Sequence, residues 1–172
     1  MGCDAATQAE RAACSGPAVM LHFAYGSNMS RAVMRAHAPR AVPLGAATLA
    51  NYRFVITADG YASVEPRRVA AVHGVLWRLT PRDRATLDAW ENIAAGLYRV
   101  ETLPVQHAGC RRMALVYIAR PCGAGRPRAG YMEIVIAAAR EWELPNSYIA
   151  SLRHWLRPLG AGPRNLRELA WM

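Results

Sequence analysis

The chain has 172 residues, of which 53% are hydrophobic and 19% charged, and its formal net charge at pH 7 is +9. These values are typical of one globular domain with a sizeable core. No apolar run reaches the roughly 18 residues that span a bilayer, and we expect no membrane partner. All 21 basic residues are arginines scattered along the chain, a pattern that disfavours nucleic-acid binding.

The ends of the chain differ in pattern from its middle. Residues 1–17 show no apolar period and are expected to form a loosely ordered N-terminal extension. Residues 18–157 are predicted to form the domain, and residues 158–172 a C-terminal tail. The first residues lack the basic start and apolar stretch of a signal peptide, so we expect a cytoplasmic location.

The cysteines give no sign of a metal site. Their spacings are not of the C-x-x-C type, and no histidine lies at a zinc-type offset. We therefore expect free thiols and no bound metal. The four residues are Cys3, Cys14, Cys110 and Cys122.

The first predicted strand is the apolar run at 19–24, which is followed at once by a helical pattern from Ser30 to Ala38. A strand that breaks at Gly26 and turns into a helix leaves backbone N–H groups free to hold a carboxylate or an oxyanion. Glycine at position 26 is expected either because the backbone is closely approached there or because φ is positive.

Two further strands are predicted at 44–57 and 69–79. After them, Thr80, Pro81 and Asp83 form a capping-box-like helix start, and this helix should end near Glu91.

The last predicted elements are a hairpin of strands at 97–107 and 110–119 and two helices at 130–142 and 146–157. Together with the earlier elements, this order predicts an α+β domain built on a small, mixed, partly closed β-sheet with flanking helices.

Glu91 is the first candidate for chemistry. A carboxylate at a helix C-terminus lies in a negative field, and Trp90 and Ile93 offer apolar surroundings, so its pKa should be raised. A glutamate of that kind can move protons near neutral pH. The alternative is a solvated glutamate at a helix end.

Three tyrosines are further candidates, because each lies in or beside a strand or loop edge. The alternative is core packing with a satisfied hydroxyl. The chain has no G-x-S-x-G and no glycine-rich phosphate loop, so a serine nucleophile and a nucleotide site are not supported. The three residues are Tyr98, Tyr117 and Tyr131.

Three segments together resemble the γ-glutamylcyclotransferase-like, or AIG2-like, family. The segment Phe23–Met29 looks like its amino-terminal signature. The segment Leu87–Glu91, followed by Gly96-Leu97-Tyr98, resembles its acidic segment at matching spacing. Arg128–Tyr131 and the helix after Leu144-Pro145 are similar to its carboxyl-terminal helices. The resemblance covers roughly residues 19–157.

The resemblance implies a small β-barrel with flanking helices and a reaction in which a γ-glutamyl group cyclises to 5-oxoproline and releases an amine or amino acid. It implies that Glu91 is the general acid/base, that no cofactor or metal is needed, and that the partner is a small γ-glutamyl substrate. The residues implied to lie around that substrate are His22, Phe23, Ala24, Tyr25, Gly26, Ser27, Asn28, Tyr98, Tyr117 and Tyr131.

The chain departs from the family pattern in two respects. Asn92 stands where family members often have glycine, and an unmatched extension lies at each end. The leaving group and the oligomeric state therefore stay open. Two alternatives also stay open: an enzyme of the same fold that acts on another γ-glutamyl conjugate in biosynthesis, and a non-catalytic protein that binds a small molecule.

Overall fold

The computed structural model describes residues 20–120 and 123–156, so the expected N-terminal extension and C-terminal tail lie outside the described residues. The described part contains five strands and four α-helices. The strands are β1 (Leu21–Ala24), β2 (Val42–Ile56), β3 (Ala62–Arg78), β4 (Tyr98–His107) and β5 (Cys110–Ala119). The helices are α1 (Arg31–His37), α2 (Pro81–Trp90), α3 (Tyr131–Glu141) and α4 (Asn146–Arg153), with short 3₁₀ turns at Ser27–Met29 and His154–Leu156.

The strands form a closed barrel in the order β1-β3-β2-β4-β5. Two long antiparallel hairpins, β2–β3 and β4–β5, supply most of the wall. The first strand is antiparallel to β3 and parallel to β5, where His22 pairs with Leu115 and closes the barrel. The predicted small mixed barrel with flanking helices is confirmed, and it is closed rather than only partly closed.

The interior of the barrel is apolar. Buried side chains from strands and helices of the described residues form one core, and the consecutive β1 residues His22, Phe23 and Ala24 are all buried, so both faces of this strand are shielded from solvent. This burial removes apolar surface from water and is the main source of stability. Large side chains in this core include Phe23, Met29, Leu49, Leu76 and Met132.

Strand β3 begins seven residues before the predicted start at 69. A bulge in the strand interrupts the sequence pattern from which the start was predicted. The register with β2 shifts between Ala50 and Tyr52, which pairs with Pro66. Val69 lies in this bulge with a φ of 63° and its side chain is 98% exposed. A proline, two arginines and an outward bulge interrupt the alternation of apolar residues that would mark a strand.

Helix α2 begins as its sequence predicts. The Thr80 hydroxyl accepts a hydrogen bond from the Asp83 N–H, and the Asp83 carboxylate accepts one from the Thr80 N–H. Asp83 is buried and also accepts from the Arg40 N–H, so these hydrogen bonds hold its pKa below the usual range despite burial. The cap therefore fixes where α2 starts.

Cys110 is disulfide-bonded, so the expectation of free thiols is wrong for this residue. Spacing along a chain does not report which cysteines approach one another in space. The other three cysteines lie outside the described residues.

Across residues 20–120 and 123–156, no helix is long and apolar enough to cross a membrane.

Candidate active site

The segment that follows β1 turns sharply. After Ala24 the chain forms the 3₁₀ turn Ser27–Met29, in which the Met29 N–H donates to the Gly26 carbonyl over 3.1 Å. In the described part of the chain, the N–H groups of Gly26, Ser27 and Asn28 have no backbone acceptor. The Trp142 indole N–H donates to the Met29 carbonyl over 2.8 Å and fixes the end of the turn. We call residues 25–29 the β1 loop.

Glu91 lies at the C-terminus of α2 and reaches the β1 loop. Its N–H donates to the Leu87 carbonyl, and its Oε1 accepts a hydrogen bond of 2.9 Å from the Asn28 side-chain amide. Burial raises the pKa of Glu91 to about 7, and the Asn28 hydrogen bond opposes that rise. This hydrogen bond therefore connects the two sequence segments Phe23–Met29 and Leu87–Glu91.

Trp90 plays no part in this environment. Its side chain is 55% exposed and stacks on the His37 ring, with 3.7 Å between ring centroids. The expectation that Trp90 desolvates Glu91 is wrong, because consecutive residues at a helix end point in different directions. The raised pKa itself is present, and its cause is burial beneath the β1 loop.

Tyr25 and Tyr117 are linked beside Glu91. The Tyr25 hydroxyl donates to the Tyr117 backbone carbonyl, and the Tyr117 hydroxyl donates to Asp88 Oδ1 over 2.6 Å. Burial raises the pKa of both phenols, and the charge of Glu91 adds to the rise at each. Asp88 lies one helical turn before Glu91, so the two carboxyl groups face the same side of α2.

Tyr98 and Tyr131 meet at one residue of β3. The Tyr98 hydroxyl donates to the Ala62 carbonyl over 3.0 Å, whereas the Ala62 N–H donates to Tyr131 Oη over 3.2 Å. The Tyr131 ring packs edge-on against the Tyr61 ring, with 5.3 Å between centroids. Burial raises the pKa of Tyr131, and the charge of Glu91 contributes to the rise.

Gly26 leaves room for the Tyr131 hydroxyl. A Cβ at position 26 would lie 2.7 Å from Tyr131 Oη and 3.3 Å from the Ala62 Cβ. The φ of Gly26 is −107°, which any residue can adopt. Of the two reasons expected for glycine here, the close approach is therefore correct and the positive φ is wrong.

The remaining predicted residues lie in strand β1. Phe23 and Ala24 have buried side chains in the barrel core, so their place around a ligand stays a prediction. His22 is buried, its Nδ1 lies 3.1 Å from the Leu115 carbonyl, and its ring packs edge-on against Tyr117. Burial lowers the pKa of His22 to about 4, so the ring is neutral at pH 7.

Comparison with known proteins relates this arrangement to a family. The sequence model of the AIG2-like family matches residues 71–152. A γ-glutamylcyclotransferase of Mus musculus is 25% identical over 148 residues, which cover 77% of each chain. A solved structure described as a γ-glutamyl cyclotransferase superposes with a TM-score of 0.76 at 22% identity, covering 88% of this chain and 95% of that one. The predicted resemblance to the AIG2-like family is confirmed, over residues 71–152 for the sequence and over most of the chain for the fold.

Two other solved structures share the fold of this chain. An uncharacterized protein from Homo sapiens matches with a TM-score of 0.76 at 22% identity, over 90% of this chain and 97% of the other. YkqA from Bacillus subtilis matches with a TM-score of 0.72 at 22% identity, over 85% of this chain and 57% of the other. At these identities the likeness shows the fold alone.

Three residues of this candidate site were not predicted. Asp88 holds the Tyr117 hydroxyl, Ala62 binds two tyrosines, and the buried Ser63 hydroxyl contacts Tyr25 and accepts from the Ala119 N–H over 3.1 Å. The helical spacing of Asp88 and Glu91 is a signal that could have identified Asp88. Ala62 and Ser63 carry no such signal, because their role depends on β3 reaching the β1 loop.

Metal ligands are not grouped in the described residues: no cluster of three or more His, Cys, Asp or Glu side chains there could hold a metal ion.

Proposed function

We propose that the chain is a γ-glutamyl cyclotransferase, which converts a γ-glutamyl amine or γ-glutamyl amino acid into 5-oxoproline and the free amine or amino acid. The observation that carries the proposal is the Glu91 carboxylate, partly buried, with a pKa of about 7 and hydrogen-bonded to Asn28 of the β1 loop. The names of the mouse relative and of the structural neighbour support the same reaction class.

In this reaction the nucleophile belongs to the substrate. Glu91 takes a proton from the α-ammonium, and the α-amine attacks the γ-carbonyl carbon, forming a C–N bond and a tetrahedral oxyanion. The intermediate then collapses, the bond to the leaving nitrogen breaks, and Glu91 gives its proton to that nitrogen. The new ring nitrogen still carries one proton too many, and Glu91 takes this second proton and passes it to the released amine, which departs as an ammonium. Two protons therefore move from the attacking nitrogen to the leaving nitrogen, and no protein nucleophile is required.

The surroundings of Glu91 suit the other needs of the reaction. The Gly26 N–H in the β1 loop lacks a backbone acceptor and can donate to an oxyanion, whereas the Ser27 N–H is a partner of the Tyr131 hydroxyl. The tyrosine walls can hold the γ-glutamyl group in a bent form, which favours attack because the reacting atoms are kept close together. The walls are formed by Tyr25, Tyr98, Tyr117 and Tyr131.

The direct test is release of 5-oxoproline by the purified chain from a panel of γ-glutamyl amino acids and γ-glutamyl amines. We expect product from at least one class, and the best substrate identifies the leaving group. Binding of a panel member without turnover would instead support the non-catalytic alternative. Turnover confined to a larger γ-glutamyl conjugate would support the biosynthetic alternative.

The pH profile tests the role of Glu91. The base must be a carboxylate in the free enzyme, so kcat/KM should rise with pH, pass its midpoint near pH 7 and then reach a plateau. Activity is therefore lost as the pH falls through 7, not through the ordinary range of a glutamate. Initial rates at substrate concentrations well below KM measure this midpoint.

Asn28→Ala provides an internal check on that profile. The Asn28 amide donates to the Glu91 carboxylate and favours its charged form, so removing it should move the midpoint to higher pH. A midpoint that stays in place in this variant, or a wild-type midpoint near pH 4.5, would show that the titrating group is not Glu91.

A further inference from the structure

The four tyrosine hydroxyls of the site differ in the direction of their hydrogen bonds. A phenol has one proton to donate, and it also accepts. Carbonyl and carboxylate oxygens can only accept, and a backbone N–H can only donate. The identity of each partner therefore fixes whether the phenol proton is already used within the protein.

Three of the phenol protons are used. The Tyr25 hydroxyl donates to the Tyr117 carbonyl, that of Tyr98 to the Ala62 carbonyl, and that of Tyr117 to Asp88 Oδ1. Toward a ligand, these three oxygens can therefore offer only lone pairs. An acceptor surface next to Glu91 and Asp88 suits an ammonium group.

Tyr131 has the opposite arrangement. Its Oη accepts from the Ala62 N–H, and the backbone and the side chain of Ser27 lower the pKa of the phenol as hydrogen-bond partners. Within residues 20–120 and 123–156, no carbonyl or carboxylate oxygen accepts the Tyr131 proton, and the Ser27 hydroxyl, which can donate or accept, leaves that proton uncommitted. Bonds received at an oxygen polarise its O–H group and make it a stronger donor.

The position of this hydroxyl matches the need for an oxyanion donor. Tyr131 Oη lies 2.7 Å from where a Gly26 Cβ would be, so it lies against the β1 loop at the point where the backbone changes direction. We propose that Tyr131 donates its hydroxyl hydrogen bond to the γ-carbonyl oxygen as that oxygen becomes an oxyanion, an inference that rests on the proposed cyclotransferase reaction. The proton remains on Tyr131 throughout.

The first test is Tyr131→Phe, which keeps the aromatic ring against Tyr61 and removes the donor. We expect kcat to fall by about 10²–10³-fold, as for loss of one oxyanion donor, with a much smaller change in KM. If wild type releases 5-oxoproline and the variant keeps kcat within about threefold, the inference fails while the proposed function stands. If wild type releases no 5-oxoproline from any member of the panel, the inference and the proposed function both fail.

A second test separates donation to the ligand from support of the loop. Replacing Tyr131 with 3-fluorotyrosine makes the phenol ionise at lower pH. Ionisation removes the proton that would be donated, but it strengthens the bonds accepted from Ala62 and Ser27. We expect kcat of the fluorinated enzyme to fall at alkaline pH where wild type stays on its plateau. The absorbance of the phenolate shows at which pH the fluorinated side chain ionises, and a kcat that stays unchanged through that ionisation would assign Tyr131 a purely structural role and overturn the inference.

Discussion

Glu91→Gln should abolish most of the turnover while leaving the fold and the binding of 5-oxoproline intact. The glutamine keeps the size of the side chain and can still accept from Asn28, but it cannot take or return a proton. Loss of a general acid/base lowers rates by about 10²–10⁴-fold. Rates of 5-oxoproline formation and calorimetric titration with 5-oxoproline measure the two effects separately.

The same variant also has a stability signature with a defined sign. The pKa of Glu91 is raised by folding from 4.5 to about 7, so its stabilising contribution is complete below pH 4.5 and is lost as the pH rises through 7. The melting temperature of Glu91→Gln should therefore equal that of wild type at pH 4.5 and exceed it at pH 8.

Glu141→Gln is the matched control for that substitution. Glu141 pairs with Arg31 on the surface, where ion pairs contribute little, so neither turnover nor the pH dependence of melting should change appreciably. Full activity in Glu91→Gln would remove Glu91 from the mechanism, and a lower melting temperature at pH 8 would show that its carboxylate is stabilised by the fold.

Gly26→Ala should also cause a large loss, in both stability and activity. The new Cβ would lie 2.7 Å from Tyr131 Oη, so either the β1 loop or the Tyr131 ring must shift. Overpacking of this kind typically costs about 1–3 kcal/mol, and a displaced loop should lower kcat/KM by at least about tenfold. Denaturant unfolding and initial rates measure the two losses.

The cause of the stability loss can be isolated with a double variant. In the Tyr131→Phe background the hydroxyl is gone, the next ring atom is 4.0 Å from the Cβ, and the Ala62 Cβ at 3.3 Å is the close contact that remains, so Gly26→Ala should cost less than in wild type. The expected coupling is about 1 kcal/mol or more. Gly109→Ala is the control, because its Cβ meets nothing within 4 Å and its strain comes from a φ of 76°. If Gly26→Ala lowers the free energy of unfolding by the same amount in wild type and in Tyr131→Phe, the steric explanation is wrong.

The sequence predicted those helices and strands whose ends are defined by contacts between residues close together in the chain. Thr80, Pro81 and Asp83 define the start of α2 through contacts three residues apart. The β4–β5 hairpin was confirmed because its strands alternate and its turn, with Ala108 and Gly109 at positive φ, is short. The first half of β3 was missed because its bulge hides the alternation.

The site required contacts that no local pattern reports. Asn28 and Glu91 are 63 positions apart, and only the resemblance to a family suggested that they belong together. The partners of the tyrosines were not predictable, because Ala62 supplies backbone groups that any residue possesses. The prediction that Trp90 desolvates Glu91 was wrong, because the side chains of two residues adjacent in sequence need not contact each other.

The closure of the barrel at β1 and β5 has a consequence for how the protein folds. His22 and Leu115 are 93 positions apart, whereas each hairpin joins strands that follow one another in the chain. Contacts between distant positions form slowly because a long loop must first be closed. A chain that has completed both hairpins therefore still lacks the β1 loop at its place beside Glu91, and the candidate active site should be the last part of the fold to be completed.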